Sequence, residues 1–211
     1  MMKAMRRWWG RPRDRRPGEG RWIVVDTETS GLDPHRDRLL AVGGVAVDPD
    51  GIVPADSFEV VLHNTPAPDA RDALIHGIGH AAQRAGVPSR DALTAFLQWA
   101  GDAPAVGFHA VFDRVVIGRA LGEAGLTEDA RPWLDLAPLA RALAPDAAKR
   151  GAESLDDWLV RFGIECTARH NAAADACATA ELLLCLRDRA ACQGARGWDA
   201  LTRISRDRRW L

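Results

Sequence analysis

The sequence predicts an α/β fold: a mixed β-sheet, made of an antiparallel meander of three strands plus shorter strands, flanked by α-helices. Three observations predict it. Apolar, β-branched runs separated by tight polar turns fill the segment from Trp22 to Leu62. From Pro68 the apolar period lengthens to that of helices. A short apolar run, Pro104-Ala105-Val106-Gly107-Phe108, then interrupts the helical region with a further buried strand.

The first strand is Trp22-Ile23-Val24-Val25, ending in Asp26-Thr27-Glu28 before a Thr29-Ser30-Gly31 turn. A polar turn over Leu32 to Arg38 leads to a second strand, Leu39 to Val47. Asp48-Pro49-Asp50-Gly51 is a hairpin-type turn, and Ile52 to Leu62 alternates roughly as a third strand. Helices are predicted at Asp69 to Ile75 and at Ser89 to Trp99, the second capped by Ser89 and presenting Leu93, Phe96 and Leu97 on one face. The glycine-rich stretch Leu74 to His80 reads as a break between them. After the Pro104 to Phe108 strand, His109 leads into a helix ending near Gly125, with Asp113, Val116, Ile117, Ala120 and Leu121 on one face. Trp133-Leu134-Asp135 is a last short strand. Helices follow at Leu136 to Leu143 and, behind the Ser154 and Asp157 cap pair, at Leu155 to Phe162. Asn171 caps a long alanine and leucine helix running to about Ala191.

The chain of 211 residues is enough for one domain with a full core. The organisation expected is a basic arm over residues 1–20, a central domain over 21–191 and a helical extension over 192–211. No apolar run reaches membrane-spanning length, so the expectation is a cytoplasmic protein with no membrane partner. Cys166, Cys177, Cys185 and Cys192 show no Cys-x-x-Cys spacing and are expected to be reduced, mostly buried thiols. The net charge of −1 conceals an asymmetry. Lys3, Arg6, Arg7, Arg11, Arg13, Arg15 and Arg16 face only Asp14 and Glu19 in the arm, an excess of about five positive charges. With Trp8 and Trp9 that arm suits a polyanion, or else it is a solvated tail. Arg203, Arg206, Arg208 and Arg209 pose the same pair of alternatives.

Side chains two apart on a strand share a face, so Asp26 and Glu28 converge. Two acids at the end of a buried strand repel each other and lose hydration unless a cation joins them or one stays protonated. Oxygen-only ligands point to a hard divalent ion, magnesium or manganese. Asp113 starts a helix lying against the sheet. His170 and Asp175 are five apart, about 140° round a helix, and meet only if His170 precedes the helix that Asn171 caps. Ala172, Ala174 and Ala178 are small enough to let that helix approach the sheet.

Taken in order, the strand ending Asp26-Thr27-Glu28-Thr29-Ser30-Gly31-Leu32, the pair Phe112-Asp113 after a short strand, and Arg169-His170 with Asp175 resemble the DnaQ-like, or DEDDh, superfamily of 3′→5′ exonucleases. The resemblance runs from about Arg21 to Ala191. It implies an RNase H-like fold and two divalent cations, Mg2+ or Mn2+, held by Asp26, Glu28 and Asp175, with Asp113 acting directly or through water. It implies His170 as general base and release of nucleoside 5′-monophosphates. Thr29, Ser30, Gly31 and Leu32 are the implied contacts to the terminal nucleotide, although Leu32 also reads as core. His109 stands where many relatives have the Asn of a His-Asn pair, and Arg169 binds a phosphate or is a surface cation. The chain has no tyrosine, which excludes the sister class that uses Tyr in place of the third-motif His.

The leading expectation is a proofreading or repair exonuclease on DNA 3′ ends, single-stranded DNA foremost, working alone or as a subunit beside a DNA polymerase. RNA or oligoribonucleotide trimming is the same-fold alternative. A nucleic-acid-binding module without catalysis is the alternative of a different class, disfavoured because a scaffold has no need to gather four acids.

Overall fold

A computed structural model describes residues 20–64, 78–149, 151, 153–166 and 168–207. The expected helix over Asp69 to Ile75, the His76-Gly77 pair, the basic arm and Arg208 and Arg209 lie outside these residues. The sheet has five strands in the order β3-β2-β1-β4-β5: β1 (Trp22–Thr29), β2 (Leu39–Asp48), β3 (Gly51–Val61), β4 (Ala105–Gly107) and β5 (Trp133–Asp135). β1 pairs antiparallel with β2 and β2 with β3, whereas β4 lies parallel to both β1 and β5. The mixed sheet expected from the sequence is therefore the one observed.

Eight described helices follow: α1 (His80–Ala85), α2 (Ser89–Ala100), α3 (Val111–Glu123), α4 (Leu136–Leu143), α5 (Pro145–Lys149), α6 (Leu155–Phe162), α7 (Ala172–Cys192) and α8 (Gly197–Asp207). No described helix is long and apolar enough to cross a membrane.

Central β1 is covered on both sides, which is why it reads as an unbroken apolar run. Trp22 and Val24 join Val45, Val47, Val106 and Leu134 beneath α4, α6, α7 and α8. Ile23 and Val25 join Val42, Phe96, Val116 and Leu121 beneath α2 and α3. The alternation continues past the apolar run, so Asp26 and Glu28 fall on the α7 side and Thr27 on the α3 side. β3 is an edge strand, where Pro54 is tolerated because no neighbour needs its missing N–H.

The caps at Asn171 and at Ser154 with Asp157 form as expected: Asn171 accepts from the Ala174 N–H, and Ser154 and Asp157 make a reciprocal box. Three expectations are corrected. Ser89 is the first helical residue and not the cap; the extended Pro88 precedes it, with no side-chain cap. The break before Ser89 ends in helix at His80, where the Asn64 N–H donates to the Gln83 carbonyl and Leu62 bridges Val87 to hold α1 against the sheet edge. The cysteines are free, but three are half-buried and Cys192 is exposed. Along α7, Asp175 heads a buried face that continues through Ala178, Thr179 and Leu182.

Candidate active site

Asp26, Glu28 and Asp175 offer carboxylate oxygens that all lie within 4.8 Å of one another. The strand period brings the first two together. The third arrives because α7 docks its first turn onto β2 at Gly43, the residue paired with Asp26. A Cβ at Gly43 would sit 2.2 Å from the Ala172 carbonyl carbon, so only glycine permits that approach. Sequence reasoning credited the alanines of α7 and overlooked this partner; the adjacent Gly43 and Gly44 inside a strand were the available signal.

Asp113 approaches from the opposite layer. It is buried in the first turn of α3, and its Oδ1 accepts a 2.7 Å hydrogen bond from Thr27 Oγ1. It therefore stands beside the trio and outside it, on the far face of β1. Thr27, passed over in the sequence as a spacer between two acids, fixes its orientation.

His170 occupies the loop before α7, as its spacing from Asp175 requires. It takes the left-handed conformation at φ 62°, is exposed, and donates its backbone N–H to Asp175 Oδ2 at 3.1 Å. His109 is the other non-glycine residue with positive φ among those described, at 57°. Its N–H donates to Asp135 Oδ1, its ring meets Phe108 edge-on at 4.7 Å, and it is exposed beside α3. Two uncommon backbone conformations thus flank the acids, where strain is characteristically kept.

In the turn after β1, Thr29 Oγ1 donates to the Gly31 carbonyl and Ser30 Oγ accepts from the Arg38 N–H. Leu32 is 93% exposed, so it projects into solvent and contributes nothing to the core. Arg169 forms ion pairs with both Asp156 and Asp175. Its guanidinium is thereby committed inside the protein, with Asp156 as its second partner.

The electrostatics follow from this crowding. Burial, then Asp113, Asp175 and Glu28, push Asp26 well above the usual carboxylate range, with Arg169 opposing. Burial and Asp175 push Glu28 up to about 7, and burial outweighs the Thr27 hydrogen bond to push Asp113 up to about 7 as well. Acids so placed are relieved by a cation, and an all-oxygen set fits a hard divalent ion.

Residues 23–183 match the model of the RNase T family, described as exonuclease. The chain belongs to the RNase T exonuclease family. Membership bears out the resemblance to DnaQ-like exonucleases read from the motifs. The family member is 28% identical over 171 residues to the PolC-type DNA polymerase III of Thermotoga maritima, and 29% identical over 162 residues to that of Clostridium perfringens. These matches take in 79% and 77% of this chain but only 12% and 11% of those polymerases. Escherichia coli exonuclease I in complex with a dT13 oligonucleotide superposes at a TM-score of 0.71 with 19% identity, over 83% of this chain and 42% of that one. Exonuclease X in complex with 5′ overhanging duplex DNA superposes at 0.65 with 22% identity, over 87% of this exonuclease and 99% of that chain. The likeness to both is one of fold, and that fold is RNase H-like.

Proposed function

We propose that this protein shortens DNA from its 3′ ends, hydrolysing the terminal phosphodiester to release nucleoside 5′-monophosphates. The observation that carries the reading is the meeting of Asp26, Glu28 and Asp175, with ligand oxygens within 4.8 Å, beside Asp113 and next to an exposed histidine. Asp26, Glu28 and Asp175 would hold divalent cations, Mg2+ or Mn2+, with Asp113 contributing directly or through water. Cations bound there supply a more acidic water and neutralise charge on the phosphate and the departing oxygen.

The remaining work falls to the chain itself. His170 takes the proton of the attacking water, because its imidazole is exposed beside the acids and carries no ligand duty. The water oxygen bonds to phosphorus, the bond to the 3′ oxygen breaks, and that oxygen leaves on the shortened strand and takes a proton from bulk water. Solvent-exposed His170 then passes its proton to bulk water. The Thr29-Ser30-Gly31 turn meets the terminal sugar, and exposed Leu32 lies against the last base. His109, on the other flank, contacts the terminal phosphate or sugar. Arg169 serves this reading by balancing charge at Asp175.

A DNA polymerase is the partner that this reading supports, since the matched stretch of the PolC-type relatives lies within polymerases.

The test is digestion of matched, end-labelled single-stranded DNA, duplex DNA and RNA with magnesium or manganese, using the protein and Asp175→Ala. Stepwise loss from DNA 3′ ends is expected, with labelled 5′-monophosphates as product and no turnover by the variant. Preference for RNA would move the activity to oligoribonucleotide trimming. Folded wild-type protein that binds DNA without turnover would make it a binding module.

A further inference from the structure

A polar pocket of about 510 Å³ opens at the β5 edge of the sheet, and Asp26, Glu28, Asp113 and Asp175 are not part of its lining. One wall is Ala110, Val111 and Arg114, which begin one residue past His109 and belong to the first turn of Asp113's own helix. The other wall is α8, which lies beyond residue 183 where the family match ends. α8 is fixed there by Trp198, whose ring meets Trp22 edge-on at 5.2 Å, and by Ser205 Oγ, which donates to the Asp135 carbonyl at 2.9 Å.

Three guanidinium groups and one carboxylate line this pocket. Arg131 is committed to Asp129 and to the Ala103 carbonyl. Arg114 and Arg206 are exposed and have no ion pair among the described residues. The carboxylate is Asp135, whose Oδ1 accepts from the His109 and Ala137 N–H groups. Thr202 also lines the pocket, its hydroxyl oxygen buried and without a hydrogen-bond partner among the described residues. Half-buried Trp133 supplies an aromatic face on the same lining.

Uncommitted guanidinium forks beside a hydroxyl and an indole are the equipment for a phosphodiester and its base. We infer that this pocket anchors the body of the DNA strand, gripping backbone phosphates upstream of the nucleotide being removed. Arg114 and Arg206 are the two cations that do so, from opposite walls. The inference rests on the exonuclease reading, since it needs a strand whose 3′ end lies at the acids. It makes α8 part of the substrate surface, so that affinity depends on strand length beyond the terminal nucleotides.

The experiment measures binding without turnover. The 211-residue chain, in EDTA, is titrated against labelled dT4 and dT20 by fluorescence anisotropy over a range of salt concentrations. Wild type is expected to bind dT20 about tenfold or more tightly than dT4. Arg114→Glu/Arg206→Glu should lose most of that margin, and the salt slope for dT20 should fall by about 1.4, the single-strand value for two lost phosphate contacts. Arg114→Lys/Arg206→Lys should recover it, which a misfolded α8 would not. No length margin in wild type, or an unchanged margin in the glutamate variant, overturns the inference. Failure of the functional reading shows separately, as wild type that leaves DNA 3′ ends intact in magnesium or manganese.

Discussion

Gly43 and Ala172 touch backbone to backbone, closely enough that a Cβ at position 43 would lie 2.2 Å from the Ala172 carbonyl carbon. The contact sets how far α7 stands from β2, and hence whether Asp175 reaches Asp26 and Glu28. Gly43→Ala is expected to destabilise by about 1–3 kcal/mol, the usual cost of overpacking. It should weaken Mn2+ binding by more than its effect on stability explains. Thermal melting and calorimetric titration of the same variant separate the two. An unaltered metal affinity would mean that α7 is placed by other contacts.

Arg169 pairs with Asp175 and Asp156 while Asp175 also faces two other acids. Removing it with Arg169→Ala leaves three carboxylates without their nearest cation, so the melting temperature in EDTA should fall. The rise in melting temperature on adding Mn2+ should be larger than in wild type, because no guanidinium competes for Asp175. Asp156→Asn should move both quantities in the same direction by less. A rise on adding Mn2+ no larger than that of wild type would rule out competition at that carboxylate.

Asp26, Glu28 and Asp113 all have pKa values raised by burial, the last two to about 7. Each binds its proton more tightly folded than unfolded, where carboxyl values lie near about 4. The stability that Glu28 and Asp113 contribute is complete below that value and is lost as pH rises through about 7. In EDTA the melting temperature should therefore drop between about pH 5 and about pH 8. Mn2+ affinity should climb over the same interval, since binding must expel those protons. A flat melting temperature across it would show that the three carboxyls titrate normally.

His170 sits outside α7 with its ring in solvent and its N–H on Asp175. His170→Ala is expected to lower turnover about 10²-fold or more and to flatten the acidic limb of the pH–rate profile. Metal affinity should stay within about twofold of wild type, as the imidazole holds no cation in this reading. Persistence of the acidic limb would take the proton-accepting role away from His170.

Much of the site was legible because short-range rules govern it. A period of two put Asp26 and Glu28 on one face, and the Asn171 cap put His170 outside the helix with Asp175 in its first turn. The face of α3 that carries Asp113 followed from apolar spacing and agrees with the buried set Asp113, Val116, Ile117, Ala120 and Leu121. What escaped was long-range. The commitment of Arg169 to Asp156 and Asp175, the Thr27 hydrogen bond to Asp113 across 86 residues, and the pocket between α3 and α8 all join segments distant in the chain.

The sequence by itself determined which residues carry charge at the ends of which elements, because strand alternation, helix periodicity and capping are set by neighbours along the chain. Only the tertiary structure decided how those ends meet. α7 and α3 pack on opposite faces of β1, so three acids gather on one side and Asp113 reaches them from the other. That arrangement depends on layer packing and on the missing side chain at Gly43, distances that no local pattern encodes.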